Sequence, residues 1–193
     1  LLSRGISLVS TCEELLYPWL RHPALAEELN TLAIKHGAKL LGTGVNPGFL
    51  MDTLPVAVTA VCRRVNTVQV WRVQDATTRR IPFQQKIGAG LDDTEFQRRI
   101  DAGTLRHVGL GESLHFIAKY LGLKIDRWTE TIVPVHATRD LTCGLGPIPR
   151  GRAAGVRQVA HGYHRDGSTE RAVITMEFQA AIGQENPHER EVT

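Results

Sequence analysis

The chain has 193 residues, of which 42% are hydrophobic and 22% are charged, a composition typical of a globular protein with one substantial core. The net charge is only +3 and aromatic residues make up 6%, so we do not expect the basic, aromatic-rich surface that nucleic-acid binding requires. The apolar stretches are shorter than the ~20 residues of a membrane span and the first residues lack a basic leader, so we expect a soluble, cytoplasmic protein without a membrane partner.

The first elements predict a strand-helix-strand unit. Residues 1–5 have the pattern of a helix end with a glycine cap, and residues 6–10 form an apolar strand. Pro23 suits the first turn of the next helix, which runs to Gly37 and leads into a strand at residues 38–41. The economical arrangement is a parallel sheet with a helical crossover. Because a helix end is the middle of an α/β repeat, we expect the chain to be a piece of a larger protein.

The glycine-rich segment at residues 39–52 follows this second strand and opens another helix, predicted at residues 49–64. One interpretation of Gly42, Gly44 and Gly48 is a relaxed pyrophosphate-binding fingerprint. The other is a late strand-turn-helix junction near the reactive end of a cofactor. A fingerprint needs an acidic residue about 20 residues on, and Asp75 comes too late, which favours the second interpretation.

From residue 65 onward the pattern changes to an α+β domain with a mixed or antiparallel sheet. The predicted elements are a strand at 65–73, a loop at 75–93, helices at 94–103 and 111–121, and strands at 127–137, 155–165 and 170–182. Asp166-Gly167 predicts a hairpin between the last two strands. The predicted fold class is therefore α/β, with the end of a parallel sheet followed by an α+β domain.

The junction after the first strand carries two carboxylates. Thr11 and Glu14 have the spacing of a capping box, in which the carboxylate binds the N–H of the capping residue. A carboxylate at the carboxyl edge of a parallel sheet would equally face a bound ligand. Both interpretations stay open, and Glu13 allows both roles at once. Cys12 could be a nucleophile with a lowered pKa, but no histidine partner lies nearby, which favours a buried thiol.

No metal site or disulfide framework is predicted. Glu112 and His115 have the i, i+3 spacing of a metal-bridging pair, but no matching carboxylates occur on other helices. His161 and His164 are expected to be solvent-facing or hydrogen-bonded. The three cysteines have no metal-ligand spacing and are odd in number, which indicates a reducing, intracellular setting.

Four ordered motifs resemble one known family. They are Ser10 to Leu15 with Tyr17-Pro18, then Gly42 to Phe49 with Met51-Asp52 and Leu54-Pro55, then Gln85 to Gly88, and His107 to Ser113. Together they resemble the 2,4-diaminopentanoate dehydrogenases and the related native amine dehydrogenases, which are similar in fold to dihydrodipicolinate reductase. The signature of dihydrodipicolinate reductase itself, a His-rich stretch followed by a Lys and a Ser-Gly-Thr turn, is absent.

The resemblance implies an oxidoreductase that uses NAD or NADP to deaminate an amine or diamino acid oxidatively, or to aminate the ketone in reverse. Residues 1–64 would be the C-terminal part of a Rossmann-type cofactor-binding domain, and residues 65–193 the substrate and oligomerisation domain, incomplete at its C-terminus. Exposed strand edges of the second domain predict a homodimer or homotetramer. The alternatives are an oxidoreductase of the same fold acting on another imine or an alcohol, and a protein that binds a nucleotide or metabolite without catalysis.

The resemblance also assigns site residues. Glu14 is the favoured catalytic carboxylate, with Glu13 as the reserve choice. The cofactor-lining residues would be Ser10, Thr11, Cys12, Asn46, Pro47 and Gly48. Asn46 would also face the substrate, with Phe49 and Met51 as an apolar wall.

Overall fold

A computed structural model describes residues 1–184 of the chain. The α-helices of this part are α1 (Pro23–Lys35), α2 (Thr53–Val58), α3 (Ile81–Lys86), α4 (Asp93–Asp101) and α5 (Leu110–Leu121). Its strands are β1 (Leu8–Ser10), β2 (Leu40–Gly42), β3 (Val68–Asp75), β4 (Arg127–His136), β5 (Leu141–Cys143), β6 (Gly146–Ile148), β7 (Ala153–Asp166) and β8 (Thr169–Ala181). Short 3-10 helices cover Leu2–Arg4, Glu13–Leu16, Pro18–Leu20 and Thr59–Val61.

The described chain forms two compact units. The first contains residues 1–70, 108–129 and 160–176, and the second contains residues 71–107, 130–159 and 177–184. The long strands β7 and β8 contribute residues to both units. The domain boundary predicted between residues 64 and 65 stays a prediction.

The predicted strand-helix-strand unit is confirmed in the first unit. Strands β1 and β2 pair in parallel, with Leu8 opposite Leu40, and α1 connects them. Pro23 occupies the first turn of α1, where its missing N–H is not needed, and Gly37 leaves the helix at φ 63°. Apolar side chains from these elements pack together as a small core made of Leu2, Leu8, Leu29, Leu32, Ala33, Ala38 and Leu40.

The remaining long strands form a four-stranded sheet in the order β3-β8-β7-β4. The predicted hairpin is confirmed, because β7 and β8 are neighbours joined by a tight turn with Gly167 at φ 60°. Strand β4 runs antiparallel to β7: the N–H of Asp126 donates to the carbonyl of Tyr163 at one end, and that of Ala137 to Arg152 at the other. The predicted α/β fold class, with a parallel pair followed by an α+β sheet, is confirmed.

One predicted boundary was wrong, and two elements were not predicted. Helix α2 begins at Thr53 and not at residue 49, because Asp52 caps it. The predicted loop at residues 75–93 contains α3, which the buried side chain of Gln84 fixes by donating to three backbone carbonyls of the preceding turn. Pro82 had suggested a loop, but proline is compatible with the first turn of a helix. The β5–β6 hairpin was not predicted.

No helix of residues 1–184 is long and apolar enough to cross a membrane.

Candidate functional site

The two parallel strands end at the same edge, where the chain enters the segments that carry the predicted site residues. Ser10 of β1 lies opposite Gly42 of β2, and its carbonyl accepts a hydrogen bond of 2.9 Å from the N–H of Thr43. A side chain on Gly42 would overlap the backbone of Leu15. The short helix after β1 therefore packs directly on the end of β2.

Glu13 and Glu14 begin that short helix, and both side chains are exposed. The capping residue is Cys12, and no side chain caps the helix. Of the two interpretations left open for this junction, the capping box of Thr11 and Glu14 is therefore wrong. The N–H of Cys12 instead donates to the Ser10 hydroxyl at 3.1 Å, and Cys12 is exposed, so the expectation of a buried thiol is also wrong. Within residues 1–184, the Glu14 carboxylate forms no hydrogen bond or ion pair.

The loop between β2 and α2 turns tightly because it contains glycines at positive φ. Gly44 has φ 155° and Gly48 has φ 128°. A side chain on Gly48 would overlap the backbone of Gly44, and a Cβ on Gly44 would lie 2.9 Å from the carbonyl oxygen of Pro47. The Asn46–Pro47 peptide bond is cis. Gly44 and Gly48 thus allow the loop backbone to pack closely against itself, where a side chain would not fit.

Asp52 holds this loop from inside and is fully buried. Its carboxylate accepts hydrogen bonds from the N–H of Gly48 at 2.9 Å, the N–H of Thr53 at 2.6 Å and the Ser113 hydroxyl at 2.8 Å. The Thr53 bond caps α2, and the Ser113 bond ties the loop to α5. Charge-assisted bonds of this kind are stronger than neutral ones, so Asp52 fixes the shape of the loop.

The predicted residues of the loop divide into a buried half and an exposed half. Asn46 is buried, and its amide donates to the sulfur of the buried Met51 at 3.3 Å. Pro47 and Gly48 are also buried. The side chain of Phe49 is 47% exposed, and that of Val45 in the same loop is 66% exposed. A ligand approaching this loop from solvent therefore meets the exposed half first.

The start of α5 packs closely on the same unit. Gly109 has φ 97°, and a side chain there would overlap the ring of Pro47. A Cβ on Gly111 would lie 2.7 Å from the ring of Trp128 and 3.2 Å from Leu20. The glycines of the His107 to Ser113 motif are thus explained by the close approach of α5 to its neighbours.

Glu112 and His115 do not form a metal pair. The buried Glu112 carboxylate lies 3.3 Å from Arg21 Nε through Oε1, while its Oε2 has no hydrogen-bond partner in the described part of the chain. His115 Nδ1 lies 2.8 Å from the carbonyl of Gly111. In residues 1–184, no three His, Cys, Asp or Glu side chains are grouped so that they could hold a metal ion.

The second unit contains a buried polar network that the sequence did not indicate. Gln158 is fully buried, accepts a hydrogen bond of 2.8 Å from the N–H of His107 and donates to its carbonyl at 2.9 Å. The same amide donates to Glu130 at 2.9 Å. The imidazole of His107 stacks on Phe178 with 4.4 Å between the ring centroids.

The environment of His107 disfavours its charged form. Its pKa is lowered from 6.5 to about 4, chiefly because burial removes water from the imidazolium. The neighbouring cations Arg72, Lys86 and Arg106 act in the same direction. His107 is therefore neutral at pH 7.

This pKa shift predicts that the protein loses stability in mild acid. Between about pH 6.5 and pH 4 the unfolded chain binds a proton at His107 that the folded protein excludes, so the free energy of unfolding should fall by up to about 3 kcal/mol across that range. His107→Phe keeps a ring against Phe178 but cannot titrate, so it should lose this part of the pH dependence. Urea unfolding of both proteins at about pH 7 and about pH 4.5 measures the difference. Parallel pH profiles would contradict the prediction.

Sequence comparisons with known proteins indicate one family, and a structural comparison indicates a similar fold. Residues 49–191 match the family model described as the 2,4-diaminopentanoate dehydrogenase C-terminal domain. The chain is 32% identical over 165 residues to the 2,4-diaminopentanoate dehydrogenase of Acetoanaerobium sticklandii, covering 84% of this chain and 47% of that protein. Its fold is similar to that of the amine dehydrogenase from Mycobacterium smegmatis, with a TM-score of 0.67 and 21% identity over 97% of this chain and 54% of that one. The chain thus spans about half the length of these relatives.

Proposed function

Because the chain belongs to the family of the 2,4-diaminopentanoate dehydrogenase C-terminal domain, we propose that the full-length protein is an NAD(P)-dependent oxidoreductase. It acts on the CH–NH2 group of an amine or diamino acid, by oxidative deamination or the reverse reductive amination. The observation that carries the proposal is the Glu14 carboxylate, which is exposed at the carboxyl edge of two parallel strands and has no hydrogen-bond or ion-pair partner among residues 1–184.

The residues at this edge fit a nicotinamide cofactor. Thr11 and Cys12 are exposed directly after β1, and a Cβ on Gly44 would fill the narrow gap between the carbonyls of Pro47 and Thr11. We propose that the cofactor is lined by Ser10, Thr11, Cys12, Asn46, Pro47 and Gly48. The last three are buried, so they would act by holding the loop backbone in position. Residues 1–64 would then be the C-terminal part of a Rossmann-type domain, and residues 65–193 the substrate and oligomerisation domain.

The proposed mechanism depends on one carboxylate. A nicotinamide bound at this edge would supply the acceptor for the hydride from the amine-bearing carbon. Before that step the substrate ammonium must lose a proton, which Glu14 would accept. The exposed Glu14 would release that proton to solvent and would then take a proton from the water that attacks the iminium carbon, with Glu13 as the reserve choice for both steps. Asn46, Phe49 and Met51 are the proposed substrate contacts, and Phe49 is the exposed member of the three.

A Glu14 buried purely as a helix cap would have supported the non-catalytic alternative. Glu14 is instead exposed, and Cys12 is the capping residue of the short helix, so Glu14 does not favour that alternative. An enzyme of the same fold that acts on an alcohol or another imine is separated from the main proposal by assay alone.

The test is formation of reduced cofactor by the full-length protein, with NAD and NADP assayed separately. The substrate panel contains short amines, diamino acids including 2,4-diaminopentanoate, and alcohols of matching carbon skeleton. We expect turnover with an amine or diamino acid and none with the alcohols. Turnover confined to alcohols, or none with any amine, would refute the proposal.

We also propose that the protein is a cytoplasmic homodimer or homotetramer that associates through its four-stranded sheet. The exposed side chains of Trp71 and Val133 on β3 and β4 support an apolar contact there. A monomeric mass by light scattering of the full-length protein would exclude this association.

A further inference from the structure

The second unit contains a group of cations around the neutral ring of His107. Arg72, Lys86 and Arg106 are close enough to act on its charge state. Arg72 also lies over the ring of Phe178, with 5.3 Å from its guanidinium carbon to the ring centroid. Like charges repel one another, so a cluster of this kind calls for a compensating anion.

The cations of this cluster are only partly neutralised within the chain. Among residues 1–184, neither Arg72 nor Lys86 forms an ion pair. Arg106 lies 3.7 Å from Glu130, whose other oxygen accepts a hydrogen bond from Gln158. The Nε of Arg106 is buried and has no hydrogen-bond partner in the described part of the chain. A guanidinium donor buried without an acceptor indicates an absent acceptor group.

A cavity of about 30 Å³ lies beside these groups, and we call it the His107 pocket. Its polar lining residues are Lys86, Arg106 and His107. Its apolar walls are Phe83, Ile87, Val156 and Phe178. The volume admits a group of a few atoms, and the combination of cations with apolar walls suits an anion attached to carbon.

We propose that the His107 pocket binds the carboxylate group of a small organic acid. Arg106 and Lys86 would hold the carboxylate oxygens, because guanidinium and ammonium groups make charge-assisted bonds to carboxylates. The aromatic and aliphatic walls would contact the adjoining carbon atoms. Inorganic phosphate has four oxygens and no apolar part, so it fits this pocket poorly. The site goes beyond the proposed dehydrogenase activity and does not require it.

The test is calorimetric titration of the full-length protein at pH 7.5 and low salt with pentanoate, pentylamine and inorganic phosphate. We expect saturable binding of pentanoate and binding of phosphate that is at least tenfold weaker. Any binding of pentylamine should be the same in the parent and in Lys86→Gln. Lys86→Gln should weaken pentanoate binding at least tenfold. Lys86 is exposed, so this variant should fold normally. Lys124→Gln, the same change at an exposed lysine outside the pocket, is the matched control and should bind pentanoate as the parent does.

A second measurement reports on the pocket directly. A bound carboxylate stabilises the imidazolium, so saturating pentanoate should raise the pKa of His107 measured by NMR. Unchanged pentanoate affinity in Lys86→Gln, an unmoved His107 resonance, or tighter binding of phosphate than of pentanoate would overturn the proposal.

A further measurement distinguishes a carboxylate of the substrate from that of a separate organic acid. If the assay above finds a diamino acid that is oxidised, a tenfold rise of its KM in Lys86→Gln would assign the pocket to the substrate's own carboxylate. An unchanged KM, with pentanoate binding weakened, would assign it to a separate organic acid. Because pentanoate binding is measured without turnover, failure of the dehydrogenase proposal leaves this test intact.

Discussion

Glu14→Gln in the full-length protein should lower kcat for amine oxidation by about 100- to 10,000-fold, the usual contribution of a positioned acid-base group. Glutamine keeps the size and hydrogen-bonding reach of the side chain but cannot accept a proton at neutral pH. Glu14 is exposed and forms no hydrogen bond or ion pair within residues 1–184, so the substitution should leave folding unchanged. Steady-state rates of cofactor reduction, with cofactor affinity measured separately, test this expectation.

Two companion variants make the result specific. Glu28→Gln removes an exposed carboxylate from α1 and should retain the parent rate. Glu13→Gln removes the neighbouring carboxylate of the same short helix and tests the reserve choice. A large loss in Glu13→Gln with full activity in Glu14→Gln would transfer the role to Glu13. Full activity in both variants would refute the carboxylate mechanism.

Asp52→Ala should lower the free energy of unfolding by about 3–7 kcal/mol. The substitution removes the cap of α2, which contributes about 1 kcal/mol, and leaves two buried donors without an acceptor at about 1–3 kcal/mol each. Those donors are the N–H of Gly48 and the hydroxyl of Ser113. Asp52→Asn should cost less, since its amide oxygen can still accept one of the bonds. Urea unfolding curves of the variants measure the losses.

Asp101→Asn is the matched control for this prediction. Asp101 lies at the end of α4, is exposed, and accepts a hydrogen bond from Gln97. Its replacement should change the free energy of unfolding by about 0.5 kcal/mol or less. Equal stability of Asp52→Ala and Asp101→Asn would contradict the role assigned to the buried carboxylate.

The elements that could be predicted from sequence are those with local causes. Helix α1 has a proline in its first turn and a glycine after its last residue, and the β7–β8 hairpin has an Asp-Gly pair at its turn. Each signal acts within a few residues, so the sequence pattern alone contains it. Helix α3 was missed because Pro82 and nearby glycines indicate a loop unless the long-range bonds of Gln84 are known.

The candidate site was only partly predictable because its supports join distant positions. Asp52 and Ser113 are 61 residues apart, and His107 and Gln158 are 51 residues apart. No spacing rule relates such pairs. The cap predicted at Thr11 failed for a different reason, since the helix starts at Glu13 and Ser10 binds the N–H of Cys12 instead. An aspartate directly before an apolar helix was, however, a recognisable signal for the cap at Asp52.

The loop between β2 and α2 has exposed positions that tolerate substitution and buried positions that do not. The side chains of Val45 and Phe49 are exposed. A library of substitutions at these two positions would therefore alter the exposed surface of the loop and leave its buried residues unchanged. Changes at Gly48 or Asp52 would instead disrupt the buried part of the loop, and they would affect a ligand only by distorting the loop. If this loop contacts the substrate as proposed, selection for a bulkier or smaller substrate would act first on the exposed side chains of Val45 and Phe49.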